Sequence, residues 1–297
     1  MPELPEVETV RRMLEANVLG RAIETLGLSR KRLRQRAPDP KLARRVRGRQ
    51  IERASRHGKF LLLGLDGGLT LISHLGMSGR WLFYPRGDAP ALDHVHVRIA
   101  FADGSLLLYQ DPRRFGMFRG VATEALGRDP SLRRLGPDPL LTPLDGDALR
   151  AKARGVRASV KTFLLDQRRI AGIGNIYASE ILHRARVHPA RRSGALEGEE
   201  WARIAAETGA VLRESVDRMG TTFSMYRTLW NEPGGYGDRL LVYDRAGAPC
   251  RTCGTPIRRA VQGQRATFFC PKCQPGRFRS PAQALRPKLR RGRGIEE

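Results

Sequence analysis

The sequence predicts an α+β chain made of a strand-rich N-terminal part, a helical C-terminal part and a small cysteine-bearing module. Three observations carry this. Residues 21–122 hold apolar runs joined by glycine turns, residues 145–219 hold apolar residues at helical spacing, and all four cysteines fall between 250 and 273. Between the first two lies a stretch with Gly127, Pro130, Gly136, Pro137, Pro139, Pro143 and Gly146, the composition of a connection between domains.

The first element is a helix over 3–18. Pro5 suits a first turn, Glu6 and Glu8 suit its positive end, and Val7, Val10, Leu14 and Val18 recur on one face. Strands follow. Phe60–Leu65 and Leu69–Ile72 flank Asp66-Gly67-Gly68, and His96–Phe101 and Leu106–Tyr109 flank Asp103-Gly104, giving two hairpins. Repeated hairpins without intervening helices predict an antiparallel sandwich or barrel. Helical spacing then marks 145–153, 158–168, 175–185 and 197–219, with Gly172 and Gly174 breaking the second from the third. Residues 220–238 read as a glycine-containing loop. The tail from 276 has seven Arg or Lys and almost no large apolar residues, so it reads as disordered.

Lys and Arg total 54 against 30 Asp and Glu, a net charge of +24. Such an excess points to a polyanion. A membrane surface would call for a basic amphipathic helix, and no clear one is present. The sequence holds no run of eighteen apolar residues and no secretory signal. Nucleic acid is therefore the expected partner, and a reducing cytoplasm the expected compartment for four clustered thiols.

Cys250-x2-Cys253 and Cys270-x2-Cys273, sixteen residues apart, have the spacing of a four-cysteine zinc site. Four thiolates close a tetrahedron, so the metal is structural and the module folds with it. The residues between, with Gly263 near the tip, read as a β-hairpin carrying Arg258, Arg259 and Arg265.

Met1-Pro2-Glu3 opens a second chemistry. Removal of the initiator Met would leave Pro2 with a free secondary amine, able to attack a sugar C1′ and form an iminium ion. An α-amino group titrates near ~8, well below lysine, and an adjacent carboxylic acid can protonate the opening sugar ring. On these residues alone, Pro2 as a plain helix starter is the stronger reading.

Six ordered blocks reverse it. They are Met1-Pro2-Glu3-Leu4-Pro5-Glu6-Val7-Glu8-Thr9, Gly58-Lys59-Phe60, His74-Leu75-Gly76-Met77-Ser78-Gly79, Asp111-Pro112-Arg113-Arg114-Phe115-Gly116, Gly172-Ile173-Gly174-Asn175-Ile176-Tyr177-Ala178-Ser179-Glu180, and the cysteine module with Gln264-Arg265-Ala266-Thr267. Together, over residues 1 to about 274, the chain resembles the bacterial formamidopyrimidine-DNA glycosylases.

The resemblance implies two lobes: an antiparallel β-sandwich with a flanking helix, and a helix-two-turn-helix bundle with a β-hairpin zinc finger. With the composition and spacing above, the expected division is 1–126, a linker 127–146, 147–239, 240–275 and the tail 276–297. The resemblance also implies a bifunctional glycosylase and apurinic-site lyase acting on duplex DNA with oxidised purines, needing one structural Zn2+ and working as a monomer. Pro2 resembles the nucleophile, Glu3 the acid that protonates the sugar, Lys59 a general acid/base, and Arg265 a phosphate clamp assisting elimination. A base must be flipped out before its sugar is attacked, and the hole must be filled. Met77, Arg113 and Phe115 resemble the filling residues. Asn175, His94 and Arg157 resemble DNA contacts, and Glu6 and Lys161 fall where the family lines its lesion pocket.

Two departures stand out. Trp230, Asn231, Glu232 and the Pro-Gly-Gly-Tyr that follows differ from the family pattern in the loop expected to cover the base. Asp244 stands where the family has Gly. The competing readings are an endonuclease VIII-like enzyme for oxidised pyrimidines and a non-catalytic zinc-finger DNA binder. Leu4 and the trio Met77, Arg113 and Phe115 favour the purine enzyme over the first.

Overall fold

The computed structural model describes residues 1–34, 41–223 and 225–278. Most of the basic tail lies outside them. The chain divides into two compact units. One comprises Met1–Pro143, Gln167–Ile173 and Leu212–Arg239; the other comprises Leu144–Asp166, Gly174–Val211 and Leu240 onward.

The first unit opens with helix α1 (Leu4–Val18), whose stripe Val7, Val10, Leu14 and Val18 is fully buried. Glu6, in the first turn, accepts a hydrogen bond from Glu3 N at 2.7 Å, one half of a capping box. Eight strands follow: β1 (Ile23–Leu28), β2 (Ile51–His57), β3 (Phe60–Leu65), β4 (Leu69–His74), β5 (Arg80–Tyr84), β6 (Val95–Phe101), β7 (Leu106–Gln110) and β8 (Met117–Ala122). They form two antiparallel four-stranded sheets, in orders β1-β6-β7-β5 and β2-β3-β4-β8. One core joins them, with Val97, Ile99 and Leu107 from the first sheet, Leu61, Leu63 and Leu71 from the second, and the stripe of α1. Each of these aliphatic side chains contributes about 1.5–3 kcal/mol by leaving water. This is the expected sandwich.

A five-residue helix, α2 (Leu42–Val46), interrupts the strands, contrary to the expectation of hairpins alone. Leu42 and Val46, one turn apart, are both fully buried, and that pair is too short a pattern to stand out among arginines. The glycine- and proline-rich stretch packs with this unit as far as Pro143: Leu132 joins Ile72 and Met117 in a small cluster.

One buried ionic network ties the unit together. Arg56 on β2 donates to Glu8 Oε2 at 2.9 Å, to Gly58 O at 3.0 Å and, through both terminal nitrogens, to Asp138. Burial alone would raise the Glu8 pKa, but hydrogen bonds from Arg11 and Arg56 outweigh it and hold the carboxyl below its usual 4.5. Arg56→Ala strands two carboxylates in the interior, so the expected loss is about 3–5 kcal/mol in urea unfolding. Arg56→Lys should recover little of it, because a single ammonium cannot reproduce the fork.

The second unit holds α3 (Gly146–Ala153), α4 (Val160–Leu165), α5 (Asn175–Arg184) and α6 (Gly198–Asp217) through Val211, then the hairpin β9 (Arg258–Gln262) and β10 (Arg265–Phe269). Asp145 caps α3 by accepting from the Asp147 and Ala148 amides, and Ser159 caps α4 by accepting from Thr162 N. α4 is shorter than the expected 158–168. It stops at Asp166, whose N–H turns back to Phe163 O, and Gln167 then bonds Gly172 N and Ile173 O instead of extending the helix.

Candidate active site and zinc centre

Pro2 and Glu3 are buried at the start of α1. The segment Ala171-Gly172 touches this turn and one other. Leu4 N donates to Gly172 O at 3.1 Å, and a Cβ on Gly172, at φ 90°, would run into the Leu4 side chain. Only glycine fits there. On its other side a Cβ on Gly58 would meet that of Ala171 at 3.1 Å. Gly58 begins the β2–β3 turn that carries Lys59, and its N–H donates to Asp138 at 2.8 Å. The N-terminal turn and the Lys59 turn are thus braced by one short segment.

Lys59 is mostly buried, and its charge is felt by His74, which ends β4. His74 Nδ1 accepts from Gly76 N at 2.9 Å. Burial, then the charges of Lys59 and Arg34, push the His74 pKa down to about 4, and burial does the same to His188 in the second unit. Both stay neutral in the folded chain while the unfolded chain takes up protons below about 6.5. Stability is therefore full above that pH and declines as pH falls from 6.5 toward 4. A Tm series across this window should fall steadily, and His188→Gln should flatten the slope.

Met77 and Phe115 are each 40% exposed, and Arg113 lies with its guanidinium 4.8 Å from the centre of the Phe115 ring. Two groups bring their loops together. A Cβ on Gly76 would collide with the Phe115 carbonyl carbon, so the turn before Met77 runs directly against that backbone. Asp111, fully buried, accepts from Ser78 Oγ at 2.5 Å, Arg113 N at 3.3 Å and Gly116 N at 2.8 Å. Sequence reasoning quoted Asp111 and Ser78 within motifs but gave them no task; they hold the two loops in register. His94 is exposed, at φ 62°, and its carbonyl accepts from Asp111 N.

Glu6 is 1% exposed. Besides Glu3 N, it accepts from Thr221 N at 2.8 Å, at the head of the 220–237 loop. Two of the departures in that loop, Trp230 and Asn231, make contacts with the sandwich, beside Tyr226 and Leu229. Tyr226 and Leu229 enter the sandwich core, Leu229 O accepts from Phe83 N, Trp230 meets the Phe83 ring at 5.7 Å, and Asn231 accepts from Arg80. Phe223 and Met225 stay exposed. Asp244 adopts φ 57°, the left-handed region where glycine is favoured and Asp is tolerated.

In the second unit the hairpin is fixed to the helices. Lys161 on α4 donates to Ala266 O at 2.8 Å and to Thr267 Oγ1 at 2.7 Å. Asn175, first residue of α5, donates to the same carbonyl at 3.0 Å. Arg265 begins β10 and is exposed, as is Arg157 before α4. Glu180, fully buried, accepts from the Leu241, Val242 and Tyr243 amides at 2.7–3.0 Å. Burial raises its pKa in spite of those three bonds.

The four cysteine Sγ atoms lie within 4.8 Å of one another, with Cys250–Cys273 at 3.9 Å and Cys253–Cys270 at 3.5 Å; none is disulfide-bonded. Zn–S bonds of about 2.3 Å in a tetrahedron place sulfurs about 3.8 Å apart, so the cluster fits the metal. His183 Nε2 sits 3.5 Å from Cys250 Sγ, where it can support the ligand from behind.

Comparison with known proteins agrees along the chain. Residues 1–118 match the formamidopyrimidine-DNA glycosylase N-terminal domain, 135–227 the H2TH domain of the same enzymes, and 247–276 a zinc finger found in FPG and IleRS. A formamidopyrimidine-DNA glycosylase of Methylococcus capsulatus is 43% identical over 274 residues, covering 92% of this chain and all of that one. The MutM (FPG) protein of Thermus thermophilus superposes with a TM-score of 0.81 at 39% identity, over 92% of this chain and 98% of the other. A Lactococcus lactis FPG variant bound to Fapy-dG-containing DNA gives 0.86 at 32% identity, over 93% of this chain and all of that one. A β-sandwich, an H2TH bundle and a four-thiolate finger on one chain define a DNA-repair glycosylase. This chain belongs to the formamidopyrimidine-DNA glycosylase family.

Proposed function

We propose that Pro2, freed by removal of Met1, is the nucleophile of a bifunctional glycosylase and lyase that takes oxidised purines from duplex DNA. The protein is a DNA glycosylase of base excision repair with apurinic-site lyase activity and one structural zinc. The observation that supports the assignment of residues is the bracing of the Pro2–Glu3 turn and the Lys59 turn by Ala171-Gly172.

The steps follow from the chemistry of these groups. The damaged nucleotide is extruded, with Met77, Arg113 and Phe115 filling the gap. The Pro2 nitrogen bonds to C1′ as the base departs, while Glu3 protonates the ring oxygen and the sugar opens to an iminium. The iminium acidifies the C2′ proton. Lys59 assists its removal, expelling the 3′ phosphate, and a second elimination expels the 5′ phosphate. Arg265, Arg157, Asn175 and His94 hold phosphates. Glu6, which orders the N-terminal turn and the head of the covering loop, and Lys161, which holds the hairpin, are the residues we assign to recognition of the lesion. The chain acts as a monomer in the cytoplasm.

Incubation with an 8-oxoguanine:cytosine duplex and a thymine glycol duplex tests this. The expected result is cleavage of the first in strong preference to the second, with covalent trapping by borohydride. Binding without cutting would leave only a DNA-binding protein, and the opposite preference would move the enzyme to the oxidised-pyrimidine class.

A further inference from the structure

The sandwich carries a second basic surface at the end away from the residues assigned to the lesion. β3 and β4 fix the two ends. Phe60 pairs with His74 at one, beside Lys59 and the Met77 turn, and Leu65 pairs with Leu69 at the other, across the turn Asp66–Gly68. Phe60 and Leu65 are five residues apart along β3, and a rise of about 3.3 Å per residue separates the ends by roughly 17 Å.

At that far end Lys41, Arg44, Arg45, Arg47 and Arg49 fall within nine residues that contain no acid. Leu42 and Val46 turn inward and are fully buried, which leaves Arg44 and Arg45 outward, and Arg47 follows as the helix ends. Arg49 is half-buried and structural: it donates to Arg45 O and to Asp66 O. Among the described residues, Arg44, Arg45, Arg47 and Arg49 line an open concavity of about 500 Å³ with Gly48, Gly67 and one acid, Asp66.

The make-up of this surface selects its partner. Protein interfaces are anchored by aromatic or aliphatic side chains. Among the described residues, no exposed large hydrophobic side chain falls in 41–49 or 66–68. Arginine forks on a short helix, with no apolar anchor, match the phosphate backbone of DNA.

We propose that Arg44, Arg45 and Arg47 grip the phosphates of a second duplex, so that the protein passes from one DNA segment to another through a doubly bound state. The surface lies at the opposite end of the sandwich from Lys59, Met77 and the Arg113–Phe115 loop, so it can be occupied while those residues are engaged. The proposal takes from the functional reading only that the lesion-side residues hold DNA.

The test is dissociation of full-length protein from a labelled undamaged duplex at about 50 mM salt, where phosphate contacts are strong, with rising unlabelled duplex. The wild-type rate should climb about threefold or more with competitor. The Arg44→Ala/Arg45→Ala/Arg47→Ala protein should leave at a rate independent of competitor. Single-turnover cleavage of a damaged duplex by the variant should match wild type, which shows that it is folded and keeps any failure of the glycosylase assignment separate. A wild-type rate indifferent to competitor, or a variant that responds like wild type, overturns the proposal. Acceleration by polyglutamate but not by duplex would assign the surface to an acidic protein and equally overturn it.

Discussion

Pro2→Gly protein is expected to lose most of its covalent trapping on damaged duplex and to cut it at least about a hundredfold more slowly. The substitution keeps a terminal amine but removes the ring that makes it secondary and fixes its direction at the start of α1. An N-terminal iminium forms readily from a constrained secondary amine, and a loose primary amine must be oriented anew in every encounter. Circular dichroism should be unchanged, because the stripe Val7, Val10, Leu14 and Val18 still buries the helix. A second arm separates chemistry from geometry. Protein that retains Met1, verified by intact mass, has an amide at Pro2 and should neither trap nor cut, while still binding the duplex. Wild-type rates in either protein would place the nucleophile elsewhere.

Zinc removal is the second large effect. Stripping the metal with a strong chelator, or Cys253→Ser, should disorder β9 and β10 and weaken duplex binding on the order of a hundredfold. The module's own apolar core is small: Val242, Cys250, Ile257, Phe268 and Cys270 are its buried members. Two of the five are the ligands themselves, so the metal supplies most of the folding energy. Readdition of Zn2+ should restore both the hairpin signal and binding in the chelated sample and only poorly in the Cys253→Ser protein. Undiminished binding after verified zinc loss would contradict the assignment of Arg265 to the phosphates.

Elements with a long, regular apolar period were legible in the sequence. α1 and α6 fall within one or two residues of their expected ends, and the cysteine spacing alone pointed to the metal site. What was hidden depends on contacts between distant positions. Arg56 looks like an ordinary outward residue of a strand, yet its partner Asp138 is 82 positions away. Nothing local marks Tyr226 and Leu229 as members of a core built a hundred and more residues earlier. Glu180 is a buried acid held by three backbone amides, and Asp111 by two amides and the Ser78 hydroxyl; the amides leave no trace in a sequence. The roles of Pro2 and Lys59 came from ordered motifs, since a proline at a helix start or a single lysine carries no such message alone.

Glu6 holds two amides, one in its own turn and one at Thr221, 215 positions further along the chain. One carboxylate therefore ties together two segments that a linear map would treat as unrelated. Deuterium uptake at Glu3 and Thr221 should proceed in step, and Glu6→Gln should quicken both together. Catalytic readiness at the amino end and closure over the damaged base would then share a single latch.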